Sequence, residues 1–290
     1  MIREIQAKTL LVRVKGHDDW FGLYYNMNLY RGCQHQCIYC DSRSECYQIE
    51  DFNNEVLVKA NAIDLLRREL AGKRVVGTIG TGSMNDPYMP LEAKLYLTGR
   101  ALAVIAELRF PVHILTKSDL VLRDLDTLCE IKREYAAVSF TITTADDELG
   151  KKLEPGASRV SERFRAMQVL ASHGILTGIT MMPILPFIED NEENITQIVA
   201  RAHQCGAAYI IPALGMTLRD RQRAHYYCQL DKLFPGLKRK YAERFGDRYS
   251  CCVPNAAKLD QVFRDQCSRH GIATRIPTYA PQAGTQMRLL

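Results

Sequence analysis

The stretch ILTGITMMPILPFIEDNEENITQIVARAHQCGAAYIIPAL, residues 175–214, contains one full unit of the pattern from which the fold is read. Residues 175–182 and 209–214 are short, apolar and β-branched, as buried strands are. Between them Ile195, Ile198, Val199 and Ala202 stand at i, i+3, i+4 and i+7, which predicts a helix over 191–205 with one apolar stripe. Asp190 and Glu193 are placed as a capping pair at its start, and Gly206 sits where it would end. Strands joined by a crossover helix lie parallel, because a tight hairpin cannot connect parallel neighbours.

The unit recurs upstream. Strand-like runs fall at 23–29, 75–79, 112–116 and 137–143. Helical stripes appear at Leu122, Leu125 and Cys129, and at Phe164, Met167 and Ala171 before Gly174. Six such strands predict an α/β fold, a partial (β/α)6 TIM-like barrel, with a complete barrel or a doubly wound sheet as alternatives. The core is expected over 22–215, an N-terminal extension over 1–21, and a C-terminal helical extension over 216–290, basic and suited to cover a substrate. In parallel α/β folds the site lies on the loops at the carboxyl ends of the strands. Here those loops carry three cysteines, then Thr81-Gly82-Ser83-Met84-Asn85-Asp86, Lys117-Ser118, Thr143-Thr144, Pro183 with Pro186, and Gly215.

With 290 residues, 47% hydrophobic and 24% charged, the chain is long enough for a large core, and its composition argues against disorder. No apolar run approaches the roughly 20 residues needed to span a bilayer, and Arg3, Glu4 and Lys8 interrupt the start, so a cytoplasmic location is expected. The net charge of +5 is unevenly spread: residues 216–248 hold nine basic side chains against four acidic ones, a surplus equal to that of the whole chain. Such a stretch is either a solvated helix face or a surface for anions or nucleic acid.

Three of the ten cysteines are clustered, in Tyr30-Arg31-Gly32-Cys33-Gln34-His35-Gln36-Cys37-Ile38-Tyr39-Cys40. A structural zinc site wants four ligands, and no second Cys or His pair lies at zinc-ribbon spacing. Three thiolates on a four-iron cubane would instead leave one iron open. His35 as a fourth ligand would strain the loop. Tyr39 either covers a bound ligand or is an ordinary core tyrosine.

CxxxCxxC with an aromatic before the last cysteine resembles the signature of the radical S-adenosylmethionine (SAM) superfamily, and it follows the first expected strand. The resemblance narrows to the spore photoproduct lyase-like (DNA repair photolyase-like) branch. It rests on Tyr30-Arg31-Gly32-Cys33, Asn85-Asp86-Pro87-Tyr88-Met89-Pro90-Leu91-Glu92, Thr116-Lys117-Ser118, Leu153-Glu154-Pro155 with Arg163, and Pro183-Ile184-Leu185-Pro186. It covers about residues 23 to 215.

The resemblance implies a [4Fe-4S] cluster on Cys33, Cys37 and Cys40, with SAM chelated to the open iron. One electron would cleave SAM to a 5′-deoxyadenosyl radical that takes hydrogen from a substrate. It implies contacts to SAM from Tyr39, Thr81, Gly82 and Ser83, and from Lys117 to the SAM carboxylate unless that lysine is a surface charge. Ser139, Thr141, Glu154 and Arg163 are further polar contacts, although Glu154 and Arg163 could simply pair with each other. An electron donor of flavodoxin or ferredoxin type is also implied.

One departure stands out. The branch's thiol hydrogen donor maps near Ser83 or Met84, neither of which is a thiol, so the same thiol relay is not expected, although Tyr24, Tyr25, Tyr88 or a distant cysteine such as Cys46 could serve instead. Cys228, Cys251, Cys252 and Cys267 raise a second cluster or incidental thiols. Three readings compete: a radical enzyme on nucleic acid, one on a small molecule or peptide, and a non-catalytic iron or zinc binding module. Oligomeric state is not indicated.

Overall fold

The computed structural model of the chain describes residues 1–16, 18–49, 51–52 and 55–280. In chain order come β1 (Ile2–Ile5), β2 (Leu11–Arg13), β3 (Tyr25–Met27), β4 (Tyr30–Arg31), β5 (Val56–Lys59) and α1 (Ala62–Ala71). There follow β6 (Ile79–Thr81), α2 (Glu92–Leu95), α3 (Leu97–Glu107), β7 (Val112–Thr116), α4 (Leu125–Ile131) and β8 (Ala136–Thr141). Next are α5 (Asp147–Leu153), α6 (Val160–Ser172), β9 (Leu176–Met181), α7 (Glu192–Gln204) and β10 (Tyr209–Pro212). The chain continues with β11 (Gly215–Thr217), α8 (Asp220–Leu233), α9 (Leu237–Phe245), β12 (Ser250–Cys252) and α10 (Ala256–His270).

The main sheet runs β10-β9-β8-β7-β6-β3-β2, with six parallel strands and β2 antiparallel at the edge. Each parallel strand lies beside its predecessor, so the order never reverses as it does in a doubly wound sheet. Right-handed crossovers then put every helix on the same side, which is the winding of a barrel. Among the described residues β10 does not pair back to the first strand, so the barrel is partial. Every residue of β8 is buried, as expected of a strand between the barrel interior and a helical layer. No helix among the described residues is long and apolar enough to cross a membrane.

Several sequence expectations shift. The second strand is Ile79–Thr81, not 75–79. Its ladder is set by the register Tyr25↔Ile79 and Ile79↔Val112, and Val75 is left 44% exposed. The first run divides: β3 joins the main sheet, whereas β4 pairs with β5 in a separate sheet β1-β5-β4. The cap of α7 is Asn191, whose side chain accepts from the Asn194 N–H at 2.9 Å, in place of Asp190 with Glu193. The stripe of Leu122, Leu125 and Cys129 crosses from a 3-10 turn (Asp119–Asp124) into α4, and this change of winding buries Val121, Leu128 and Ile131 instead.

Residues 1–21 contribute β1 and β2, the latter a strand of the main sheet. Beyond residue 215 the chain does two things. α10 packs on α7 and adds Leu259, Phe263 and Cys267 to the main core. α8 and α9 instead build a second core, in which Tyr226, Leu230, Tyr241 and Phe245 join Ile38 and Tyr39 of the cysteine loop. Residues 281–290 of the expected C-terminal extension lie outside the described residues.

Candidate active site

The cysteine loop leaves β4 and is held from both sides by neighbouring loops. The turn after α5 reaches it through the backbone: Ile38 N–H donates to the Leu153 carbonyl and Gly156 N–H to that of His35, both at 2.9 Å. Only glycine fits at 156, since a Cβ there would stand 2.2 Å from the Gln34 carbonyl oxygen. From the other side Asp86 lies 3.1 Å from His35 Nε2 and accepts from Thr116 Oγ1 and Lys117 N–H, each at 2.7 Å. His35 Nδ1 is 3.0 Å from the Gly156 carbonyl, so one ring nitrogen is hydrogen-bonded and the other faces the Asp86 carboxylate. Burial acts to raise the Asp86 carboxyl, but His35, the hydrogen bonds from His35 and Thr116, and the Lys117 charge outweigh it and hold it at about 2.

Cys33, Cys37 and Cys40 all line one cavity of about 540 Å³ at the carboxyl ends of the strands. Burial, reinforced by Asp86, pushes the Cys33 thiol up to about 12, and burial also raises Cys37 and Cys40. In such a site thiolates form only against a positive partner such as a metal centre, which releases the protons as it binds. Among the described residues no group of three or more His, Cys, Asp or Glu is arranged around a single ion. A cubane takes each thiolate on a different iron, so its ligands stand wider apart than those of one ion.

Lys117, the residue after β7, lines the same cavity, with its Nζ 6.0 Å from the centre of the Tyr39 ring. Burial lowers its ammonium, but Cys37, Glu154 and Asp86 more than offset that and leave it raised, so it stays charged at neutral pH. Asn85 is 6% exposed and lines the cavity, and its Oδ1 finds no hydrogen-bond partner among the described residues. Gly82 has φ +95°, and a Cβ there would meet the Leu115 carbonyl oxygen at 2.2 Å; the loop after β6 therefore runs as bare backbone along the wall. A free ammonium, an unpartnered amide oxygen and a glycine-lined wall suit a ligand bearing both a carboxylate and an amino group.

The structure sorts the remaining candidates. Tyr39, Gly82, Ser83 and Thr141 line the cavity together with Lys117. Thr81 is buried just outside the lining, with its Oγ1 unpartnered among the described residues. Glu154 and Arg163 do not line it: they pair with each other at 2.5 Å, and Glu154 accepts from the Tyr39 hydroxyl, so they orient Tyr39 from behind. Ser139 is deeper in the barrel, between His113 Nε2 at 2.8 Å and Tyr209 OH at 2.7 Å.

None of the tyrosines proposed as hydrogen donors lines the cavity. Tyr24 and Tyr25 lie at the start of β3, the end away from the cysteine loop, and Tyr25 donates to the Val75 carbonyl. Tyr88 is fully buried and donates to Asp124 at 2.9 Å. Cys46 is exposed, 3.4 Å from Arg219 Nη1. Cys228, Cys251, Cys252 and Cys267 do not share a site. Cys267 is in the main core and Cys251 in the second, while Cys252, next along the strand, faces the cavity.

Sequence reasoning missed Asn85 and Asp86 as site residues, although both stand in a stretch it had singled out. It also missed the wall formed by Met216, Thr217, Ser250 and Cys252, which comes from β11 and β12.

A model of the radical SAM superfamily matches residues 27–199, more than half of the chain. The chain belongs to the radical SAM superfamily. An uncharacterized protein of Mycobacterium tuberculosis is 29% identical over 230 residues, 76% of this radical SAM chain and 67% of that protein. One from Methanocaldococcus jannaschii is 36% identical over 173 residues, 59% of this chain and 64% of its own. Among solved structures, spore photoproduct lyase complexed with dinucleoside spore photoproduct superposes with a TM-score of 0.69, covering 93% of this chain and 79% of that one. At 16% identity that likeness speaks to the radical SAM fold alone.

Proposed function

We propose that Cys33, Cys37 and Cys40 hold a [4Fe-4S] cluster whose open iron is chelated by SAM, and that the chain uses the pair for hydrogen abstraction from an organic substrate. One observation carries this reading: three thiols line the same cavity as a lysine ammonium that donates to no described residue, at the carboxyl ends of a parallel barrel. Bound together, the two groups supply one-electron cleavage of SAM to a 5′-deoxyadenosyl radical. The protein's own residues position and exclude. Lys117 neutralises the SAM carboxylate, and Asn85 and the backbone at Gly82 receive its amino group. Tyr39, fixed by Glu154 and Arg163, walls the cavity from water. An electron donor of flavodoxin or ferredoxin type serves the cluster.

The test is anaerobic reconstitution with iron and sulfide, then dithionite and SAM, with 5′-deoxyadenosine measured. The native chain is expected to form it and Cys37→Ala none; equal amounts from both would remove the assignment.

For the substrate, nucleic acid is the first reading. It is supported by the dinucleoside ligand of the spore photoproduct lyase structure and by the basic stretch after residue 216. Binding to single- or double-stranded DNA should then weaken steeply with salt, and no binding at low salt would end this reading. A small molecule or peptide is the second reading, favoured by how the first arginines of that basic stretch are already engaged within the protein. Arg219 lies 3.2 Å from Asp41, Arg221 3.7 Å from Glu45, and Arg223 donates to the carbonyls of Gly246 and Arg248. Neutralising them would loosen the fold as well as remove charge.

A further inference from the structure

We propose that Cys252 is the hydrogen-atom donor that quenches a carbon radical in the cavity; this rests on the radical chemistry proposed above. Apart from the three cysteines of the loop, Cys252 is the one thiol among the described residues that lines the cavity. Its placement follows from strand geometry. β12 pairs antiparallel with β11, and side chains alternate along it, so Cys251 is buried in the second core while Ser250 and Cys252 face the cavity. Ser250 Oγ lies 3.7 Å from the Cys252 sulfur and gives it a polar neighbour.

That this cavity receives a ligand is indicated independently by Asn85, nine-tenths buried on its wall with an amide oxygen that nothing in the described protein satisfies. The chemistry then selects the thiol. An S–H bond is weaker than the C–H bonds of most organic substrates, so hydrogen transfer from a thiol to a carbon radical runs downhill. The competing donors are engaged elsewhere. The Tyr39 hydroxyl donates to Glu154, and Tyr249 and Cys46 lie outside the cavity lining, whereas Cys252, itself exposed at the cavity mouth, belongs to it.

In the step, the S–H bond of Cys252 breaks and a C–H bond forms on the radical carbon, leaving a thiyl radical. One electron from the low-potential reductant that serves the cluster, with one proton from solvent, returns the thiol.

Two measurements on the cluster-reconstituted full chain test this. The first needs no turnover: alkylation of Cys252 by iodoacetamide, followed by peptide mass spectrometry in the absence of reductant. It is expected to slow several-fold in saturating SAM, while alkylation of Cys228 does not change. The second uses D2O with dithionite and SAM, and no added thiol or substrate. Thiol hydrogens exchange with solvent and carbon-bound ones do not, so the native chain should yield singly deuterated 5′-deoxyadenosine. Cys252→Ala and Cys252→Ser should yield largely unlabelled product; the serine variant keeps the site polar should the alanine variant fail to fold. Label persisting in both variants, or an alkylation rate indifferent to SAM, overturns the assignment of Cys252. Absence of 5′-deoxyadenosine from the native chain overturns the radical chemistry beneath it as well.

Discussion

At the scale of the residue, the site depends on which charges are answered inside the protein and which are left facing the cavity. Asp86 is answered by His35, Thr116 and Lys117 N–H, and Glu154 by Arg163 and Tyr39. The ammonium of Lys117 makes no hydrogen bond or ion pair with the described residues and meets only the face of Tyr39. Replacing it by methionine keeps the stem and removes the charge. A charge-assisted hydrogen bond of about 1.5–3 kcal/mol would be lost, a weakening of SAM binding of roughly tenfold to a hundredfold. Equilibrium dialysis of SAM against the reconstituted Lys117→Met protein checks this, with iron content expected to match the native chain. Unchanged affinity would place the SAM carboxylate elsewhere.

The same scale shows why sequence reading placed some residues well and others poorly. Cysteine spacing within eight positions is a local signal, and a lysine ending a strand points at the mouth of a parallel barrel whatever its neighbours are. Ser139 and Thr141 stand two apart on β8 and face the same side, yet only Thr141 reaches the cavity, because depth along a strand depends on where its end falls. The orphaned oxygen of Asn85 could not be read from sequence, since it depends on which partners packing withholds.

At the scale of the element, the loop between β9 and α7 is fastened from within by Glu189. Its carboxylate accepts from Thr143 Oγ1 at 2.6 Å and from Leu185 N–H at 2.9 Å, fully buried. Burial raises its carboxyl to about 8, against an ordinary value of 4.5, despite those hydrogen bonds. The folded state therefore binds this proton more tightly than the unfolded state does. Its contribution to stability is fully present below about 4.5 and is lost as pH rises through about 8. Melting temperature should accordingly fall over that window, and fall less in Glu189→Gln. Identical pH slopes for the two proteins would show that Glu189 is not the group responsible.

Elements were legible where a periodic stripe and a β-branched run stood side by side, as from Leu176 to Pro212. They were not where short strands pair outside the repeating unit of strand and helix. β4, β5, β11 and β12 are too brief to show alternation, and their pairing comes from contacts distant in sequence, such as Tyr30↔Val58 and Met216↔Cys251. The wall that carries Cys252 was hidden for that reason.

At the scale of the molecule, the parallel barrel supplies the strand ends and the C-terminal hairpin adds Met216, Thr217, Ser250 and Cys252 to the wall beside them. Gln222, buried at the start of α8, donates to the carbonyls of Tyr39 and Thr217, and Asp220 accepts from Ser44 Oγ and from the N–H of Glu45. The segment expected to cover a substrate is thus fastened to the cysteine loop itself, and its basic side chains are partly used in doing so. Barrel ends, cysteine loop and C-terminal hairpin together line one cavity, with three thiols from the loop and one from the hairpin.

The proposed cubane, held by three cysteines with one iron open to SAM, has a direct readout in electron paramagnetic resonance of the dithionite-reduced, reconstituted chain. The native chain is expected to give the signal of a reduced four-iron cluster that changes shape when SAM is added, and Cys37→Ala no such signal. A native signal indifferent to SAM, or zinc in place of iron in the purified protein, would contradict it.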